Sequence, residues 1–331
     1  MKLQVCNANY PNWRPITVKF HVPKEFQKLM ELSKNLWWVW NYEAVELFSE
    51  MNPQLWIEVG RNPVLFLQRL TSEEYVELAK NADFMKRIDA VYANFCAYVS
   101  VKPSKSIPSV AYFSMEYGLT DILKIYSGGL GVLAGDYLKE ASDCNVDMIA
   151  VGFLYRYGYF TQTLSMNGEQ IAVYEPQMFD TLPIEQLVDE KGEPITIGVP
   201  YPGRTVYANL WRVNVGRVSL ILLDTDTEKN SEADRTITYQ LYGGDNEHRL
   251  KQEIMLGIGG IAALKCLGVE KEVYHCNEGH AAFLNVQRLI DLIKDKGLTF
   301  NEAMEIVRVS GLFTTHTPVP AGHDKFEEAM F

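Results

Sequence analysis

Three polar or glycine-rich segments follow predicted strands, and their side chains and backbone amides suit a hydroxylated or phosphorylated ligand. They cover residues 116–131, 277–280 and 316–318. In a parallel α/β sheet, ligands bind outside the carboxyl ends of the strands, where such segments meet. We therefore expect a single site to which all three segments contribute.

The first segment ends in Ser-Gly-Gly-Leu-Gly, and its residues Gly128, Gly129 and Gly131 open a predicted helix. Glycines let backbone amides approach an anion, and the positive end of the helix dipole favours negative charge there. The run 129–134 also fits the dinucleotide fingerprint G-x-G-x-x-G/A. That fingerprint needs a tight turn directly after a strand, whereas roughly a dozen residues intervene here. The pattern favours an anion site over NAD binding, and a turn without a ligand is the alternative.

The other two segments carry side chains that can hydrogen-bond to a polyol. Asn277, Glu278 and His280 each offer a polar group to a hydroxyl. Their spacing matches no zinc pattern, so we expect no metal. His316 and Thr317 lie in a loop braced by prolines, which would hold the imidazole in place against a ligand. The alternative is that these histidines end loops without binding anything.

Two further segments are candidates for the rim of the site. Arg156 and Tyr157 follow a predicted strand, and an arginine between tyrosines suits a ligand. Asp245 and Asn246 stand in a polar loop before a predicted helix. They are either part of a mobile gate or a solvated helix N-cap. The sequence has no nucleophile elbow and no Ser/His/Asp order, so acyl-transfer hydrolysis is not indicated.

The elements that must position these residues divide into two regions. Apolar residues at three- and four-residue spacing predict helices over 25–35, 42–51, 72–81 and 83–99. After a linker at 102–108, the chain alternates predicted strands (110–115, 148–151, 204–213, 218–223, 273–275, 312–315) with predicted helices (131–144, 250–267, 280–294, 301–309). This alternation is typical of an α/β fold with a doubly wound, mostly parallel sheet. We expect a mainly helical region over 1–105, with an edge strand within 1–22, and an α/β domain over 106–331.

The composition limits the classes of binding partner and the cellular compartment that we expect. The 331 residues carry 31 Lys and Arg against 42 Asp and Glu, a net charge of −11, which argues against nucleic acid and anionic membranes as partners. The five cysteines are scattered and form no C-x-x-C pair, which fits a reducing compartment. The N-terminus has no apolar signal segment. We expect a soluble cytoplasmic protein.

Six ordered motifs give the chain a family resemblance. They lie at 113–117, 127–135, 155–162, 249–253, 277–280 and 313–323. In these motifs the sequence resembles the α-glucan (glycogen/starch/maltodextrin) phosphorylase family in its short bacterial and archaeal form. Residues 1–100 resemble the helical region that precedes the catalytic part in this subgroup.

The resemblance implies a fold, a reaction and roles for the candidate residues. It implies the N-terminal lobe of a two-lobed GT-B glycosyltransferase, in which inorganic phosphate cleaves an α-1,4-glucan to glucose 1-phosphate with pyridoxal 5′-phosphate as cofactor. Glu116 and His316 are implied to be catalytic, with His316 against the reacting glucosyl unit. The three glycines would lie near the phosphate. The residues implied to bind substrate are Arg156, Tyr157, Asp245, Asn246, Asn277, Glu278, His280 and Thr317.

The resemblance also implies that the chain is a part of such an enzyme. The family's C-terminal lobe, with its cofactor lysine, has no counterpart before Phe331, so we expect the chain to be inactive alone. Two other functions stay open. One is a lobe of a nucleotide-sugar glycosyltransferase such as glycogen synthase, although Lys124 stands apart from the glycines. The other is a non-catalytic glucan-binding module.

Overall fold

The N-terminal region of the fold is helical, as its apolar periodicity predicts. The structure is a computed structural model that describes residues 21–318 and 325–330. The edge strand expected within 1–22 lies almost wholly outside the described residues. The helices before the sheet are α1 (Gln27–Ser33), α2 (Tyr42–Met51), α3 (Pro53–Glu58), α4 (Pro63–Arg69), α5 (Ser72–Lys80) and α6 (Ala82–Val99).

Local capping fixes where these helices begin. Asn52 and Asn62 each precede a proline, and their side chains accept hydrogen bonds from the amides of the first helical turn. Proline suits that first position because its missing N–H would have no acceptor there. Thr71 and Glu74 form a reciprocal capping box at the start of α5. Asn41 and Asn81 cap α2 and α6 in the same way as Asn52 and Asn62 cap their helices. The predicted bounds of α2 are confirmed, and those of α5 and α6 to within one residue.

The rest of the chain alternates strands and helices, and its strands form one large sheet and a separate two-stranded sheet. In chain order the elements are β1 (Val110–Phe113), α7 (Gly129–Asp143), β2 (Met148–Phe153), β3 (Thr161–Leu164), β4 (Gln170–Val173), β5 (Glu185–Gln186), β6 (Thr196–Tyr201), β7 (Arg204–Val215), β8 (Val218–Asp224), α8 (Glu232–Arg235), α9 (Asn246–Ile254), α10 (Gly260–Cys266), β9 (Val273–Asn277), α11 (Phe283–Lys296), α12 (Phe300–Ser310) and β10 (Gly311–Thr314). The helix predicted over 250–267 is divided, because a π-helical turn at Met255–Gly259 separates α9 from α10.

The sheet has a parallel half and an antiparallel half. Its strand order is β10-β9-β1-β2-β8-β7-β5, with β6 also paired to β7. The pairs from β10 to β8 are parallel, and the pairs that involve β7 are antiparallel. The predicted mixed α/β fold with a mostly parallel sheet is confirmed, and the parallel half is the one that carries the candidate site.

Helices cover both faces of the parallel half. Tyr112 and Phe113 are adjacent on β1, so their side chains point to opposite faces. The Tyr112 ring packs against Tyr137 of α7, with 5.0 Å between centroids. A Cβ on Gly260 of α10 would lie 2.5 Å from the Phe113 ring, so α10 packs against the other face.

The helical region is fixed to the sheet by polar contacts and by a shared core. Asn35 donates to the carbonyl of Gly216 at 2.9 Å and accepts from its amide at 2.8 Å, at the turn between β7 and β8. Buried apolar side chains, including Trp37 and Trp38, form one cluster that runs from the helices into the strands. The division of domains at residue 105 stays a prediction. Within the described part of the chain, no helix is long and apolar enough to cross a membrane.

Candidate functional site

Hydrogen bonds join the ends of three neighbouring parallel strands. Nε2 of His316, beyond β10, lies 3.0 Å from Oδ1 of Asn277 at the end of β9. Nδ2 of Asn277 donates to Oγ of Ser114 at 3.2 Å, and that hydroxyl donates to the carbonyl of Glu116 at 3.0 Å. The strand order β10-β9-β1 therefore brings together the three segments that the sequence singled out, whose roles toward a ligand stay predictions.

The same contacts orient the imidazole of His316. Asn277 is 1% exposed, and its Nδ2 donates to Ser114, so its Oδ1 is the acceptor for His316 Nε2. A neutral His316 then carries its proton on Nε2 and presents Nδ1 as an acceptor. The His316 side chain is exposed. This geometry suits an imidazole that accepts a hydrogen bond from a hydroxyl of a ligand.

A second histidine lies beneath this arrangement. Nε2 of His275 donates to Oγ1 of Thr314 at 3.0 Å, because the Thr314 hydroxyl itself donates to Asn277 Oδ1 at 3.3 Å. Burial, and then the nearby His316, lower the pKa of His275 to about 4. His275 is therefore a neutral support for the Asn277 end of the site at neutral pH.

The carboxylate of Glu116 lies within the glycine-rich segment. Its Oε2 accepts from the amides of Ser127 at 2.8 Å and Gly128 at 3.4 Å, and the residue is 3% exposed. The next amides, of residues 129–131, precede the first hydrogen bond of α7, from Val132 N to Gly128 O at 3.1 Å. They have no helical acceptor and can donate to an anion. The protein's own carboxylate thus occupies part of the predicted anion position, and the first turn of α7 leaves the remainder open.

Gly131 has to be a glycine for this arrangement to form. A Cβ at this position would lie 2.4 Å from the Cβ of Tyr126 and 3.0 Å from Oε2 of Glu116. Gly128 and Gly129 differ, because a Cβ on either would meet nothing within 4 Å. Gly131 therefore lets the helix approach Glu116, while the other two glycines border open space.

Tyr242 completes the surroundings of Glu116, and the sequence analysis missed it. Its hydroxyl donates to Oε1 of Glu116 at 2.7 Å, and its ring lies 5.5 Å from that of His280 and 5.6 Å from the guanidinium carbon of Arg249. Its backbone is left-handed, with φ of 53°, a conformation that costs a residue other than glycine about 1–3 kcal/mol. Burial, and then Glu116, raise the pKa of Tyr242 well above its ordinary value. The signal in the sequence is a tyrosine directly before the Gly-Gly turn of the predicted gate loop.

Glu278 faces the His316 loop with its whole carboxylate. Oε1 accepts from the amides of His316 at 2.6 Å and Thr317 at 2.8 Å and from the Thr317 hydroxyl at 3.0 Å. Oε2 accepts from the hydroxyl of Thr315 at 3.2 Å. Burial alone would raise the pKa of Glu278, but the hydrogen bonds from His316, Thr317 and Thr315 lower it below its ordinary value.

Comparison with known proteins identifies the relatives of the chain. It is 46% identical over 316 residues to a maltodextrin phosphorylase of Thermococcus litoralis. That alignment covers 93% of this chain and 38% of the relative. It is 43% identical, over an alignment of 336 positions, to a glycogen phosphorylase of Mycobacterium tuberculosis. That alignment covers 96% of this chain and 39% of that protein. A glycogen phosphorylase of Aquifex aeolicus is 39% identical, with 88% of this chain and 42% of that protein covered. The chain is homologous to the N-terminal part of the glycogen and maltodextrin phosphorylases.

The match covers only part of each relative. The chain spans about two fifths of the length of the curated phosphorylases that it matches. The family model described as "Protein of unknown function (DUF3417)" matches residues 22–123, which include the whole helical region from α1 to α6. The identities to the three phosphorylases confirm the family resemblance that the six motifs indicate.

The predicted gate residues of this phosphorylase homologue form a helix cap. Asp245 and Asn246 are exposed, and the Asp245 carboxylate accepts from the amide of His248 at 2.9 Å at the start of α9. That backbone hydrogen bond lowers the pKa of Asp245 below its ordinary value. The N-cap alternative describes the observed geometry, and the gate role stays a prediction.

Arg156 and Tyr157 lie beyond the end of β2 and contact another part of the chain. The Arg156 guanidinium pairs with Asp226 at 3.4 Å and lies 4.8 Å from the Phe179 ring centroid. The Tyr157 ring packs against that of Tyr239, with 5.5 Å between centroids. None of these partners belongs to the hydrogen-bonded chain from His316 to Glu116, and the roles of Arg156 and Tyr157 toward a ligand stay predictions.

The site contains no candidate cluster of metal ligands. Within residues 21–318 and 325–330, no group of three or more His, Cys, Asp and Glu side chains could hold a metal ion. The polar groups at the strand ends are instead hydrogen-bonded to one another.

Proposed function

We propose that this chain is the glucan-binding N-terminal lobe of an α-1,4-glucan phosphorylase with the GT-B architecture. The observation that carries the proposal is the 46% identity to a maltodextrin phosphorylase over 93% of the chain. The hydrogen-bonded strand ends support it, since they present an imidazole, amide groups and a carboxylate at one edge of a parallel sheet. The proposal includes a helical region over 1–105 and a catalytic lobe over 106–331, working in the cytoplasm.

The described residues suit the two substrates that this function requires. The free amides of residues 129–131 would donate to inorganic phosphate, beside the Glu116 carboxylate that holds the neighbouring amides. Nδ1 of His316 would accept from a hydroxyl of the terminal glucosyl unit. Asn277 fixes the imidazole in that orientation, so the ligand meets a preorganised group.

The proposed cofactor is pyridoxal 5′-phosphate, with its lysine in the remainder of the longer enzyme. When bound, the cofactor supplies a phosphate group that acts as a proton donor and acceptor for the substrate phosphate. The first turn of α7 fits a phosphate nearby, because the amides of residues 129–131 precede the first helical hydrogen bond and a Cβ on Gly129 would meet nothing within 4 Å. In this lobe those amides would hold negative charge in place during the reaction.

Two assays test the proposal. The purified chain is titrated with maltoheptaose while its amide NMR signals are recorded, and it is incubated with maltoheptaose and inorganic phosphate. We expect weak binding centred on His316, since one lobe offers half of a cleft, and no glucose 1-phosphate. The product of the whole native reading frame should form glucose 1-phosphate in the same assay. Tight binding of ADP-glucose or UDP-glucose, or phosphorolysis by the chain alone, would contradict the proposal.

A further inference from the structure

We propose that Glu278 is a positioning residue that sets the His316 loop, and that it does not itself contact the ligand. The loop consists of residues 315–317, between the end of β10 and Pro318. The inference rests on the proposed function for the identity of the ligand. It assigns to Glu278 a different role from direct glucan binding.

The acceptor capacity of the carboxylate is already used within the protein. A carboxylate has two oxygens with about four lone-pair positions. Glu278 accepts four hydrogen bonds, two from the amides of His316 and Thr317 and two from the hydroxyls of Thr315 and Thr317. The residue is 1% exposed. A glucan hydroxyl would therefore have to displace one of these donors to reach it.

The backbone of Glu278 shows why a glutamate side chain matters here. With φ of 62° and ψ of 179°, the residue has a conformation that glycine favours and that strains other residues. A glycine would adopt it freely, and Gly279 follows directly in the sequence. The observed glutamate adds one thing that a glycine lacks, which is the carboxylate bonded to the His316 loop.

Two adjacent residues at the end of β9 thus hold the loop at two points. Asn277 binds the imidazole of His316, and Glu278 binds the amide of the same residue. The Glu278 amide also donates to the carbonyl of Thr314 at 2.8 Å, which extends the pairing of β9 with β10. With its backbone and its ring both fixed from β9, His316 has little freedom to turn away from the site.

The test compares Glu278→Gly, Glu278→Gln and the control Glu270→Gln, whose carboxylate is exposed before β9. Hydrogen exchange of the His316 and Thr317 amides is measured by NMR, together with the melting temperature and maltoheptaose binding. We expect Glu278→Gly to accelerate exchange of both amides on the order of tenfold. Its melting temperature should stay within a few degrees of the wild-type value or rise, because backbone strain is relieved. Glu278→Gln should show a smaller acceleration, and Glu270→Gln none.

Each outcome decides the inference. Unchanged exchange of the His316 and Thr317 amides in Glu278→Gly would overturn it. A loss of maltoheptaose binding in Glu278→Gln with unchanged amide exchange would also overturn it, because that result would indicate direct contact between Glu278 and the glucan. If Glu278→Gly does not fold, Glu278→Gln decides by the same criterion. If the wild-type chain fails to bind maltoheptaose while exchange accelerates in the variant, the positioning role stands and the proposed function fails.

Discussion

The hydroxyl of Tyr242 donates a hydrogen bond to Oε1 of Glu116 at 2.7 Å, across 126 residues of sequence. The other oxygen of Glu116 accepts from the amides of Ser127 and Gly128. One carboxylate therefore connects the segment before α9 to the N-terminus of α7. A ligand that binds between these two segments therefore meets groups that Glu116 already holds in position.

Tyr242→Phe removes the hydroxyl that donates a hydrogen bond to Oε1 of Glu116. We expect a loss of about 1–2 kcal/mol in the free energy of unfolding, because the bond is partly buried and its acceptor is a carboxylate. Urea denaturation measures this loss. Tyr159→Phe is the control, since the Tyr159 side chain is 42% exposed. Equal stabilities of the two variants would contradict the prediction.

We expect the depressed pKa of His275 to make the stability of the folded chain sensitive to acid. Its pKa of about 4 lies below the ordinary value of 6.5, so the unfolded chain takes up this proton at a higher pH than the folded chain. The stability that neutral His275 contributes is present above about pH 6.5 and is lost as the pH falls toward 4. NMR titration of the His275 ring checks the pKa. His275→Gln should flatten the pH dependence of unfolding in this window, and an ordinary titration of the ring near pH 6.5 would refute the prediction.

Gly135→Ala tests the close contact between α7 and the segment after β1. A Cβ on Gly135 would lie 2.1 Å from the carbonyl oxygen of Gly118, which is backbone and cannot rotate away. We expect a loss of about 3 kcal/mol in unfolding free energy. Gly129→Ala on the same helix is the matched control, since its Cβ meets nothing within 4 Å, and it should be neutral or gain up to about 1 kcal/mol. Similar losses in both variants would be inconsistent with this packing.

The contact between Asn277 and His316 should appear as an energetic coupling. We expect Asn277→Ala and His316→Ala to be non-additive in a double-mutant cycle by about 0.5–1.5 kcal/mol, the value of one hydrogen bond. Thermal or urea unfolding of the four proteins measures the coupling. Asn277→Ala combined with Tyr159→Phe serves as the additive reference. Additivity of the first pair would indicate that the hydrogen bond contributes nothing to stability.

Much of the fold follows from local chemistry in the sequence. The cap at Thr71 and the apolar periodicity of α2 act within a few residues, so the bounds of α2 and α5 could be predicted closely. The short helices α3 and α4, capped by Asn52 and Asn62, lie outside the predicted helices. The alternation of strands and helices also placed Glu116, Asn277 and His316 after strands. Since parallel strands end at one edge of the sheet, their meeting could be expected before the structure was known.

The sequence by itself thus determined most of the longer helices, the class of sheet and the segments that form the candidate site, and its motifs indicated the phosphorylase family. The tertiary structure alone decided how the polar groups are used. It joins Tyr242 to Glu116, directs Glu278 to the His316 loop and commits Arg156 to Asp226. The physical reason is that a helix cap or an apolar period is satisfied within one turn. The partner of a buried carboxylate instead depends on register and packing between segments far apart in the chain.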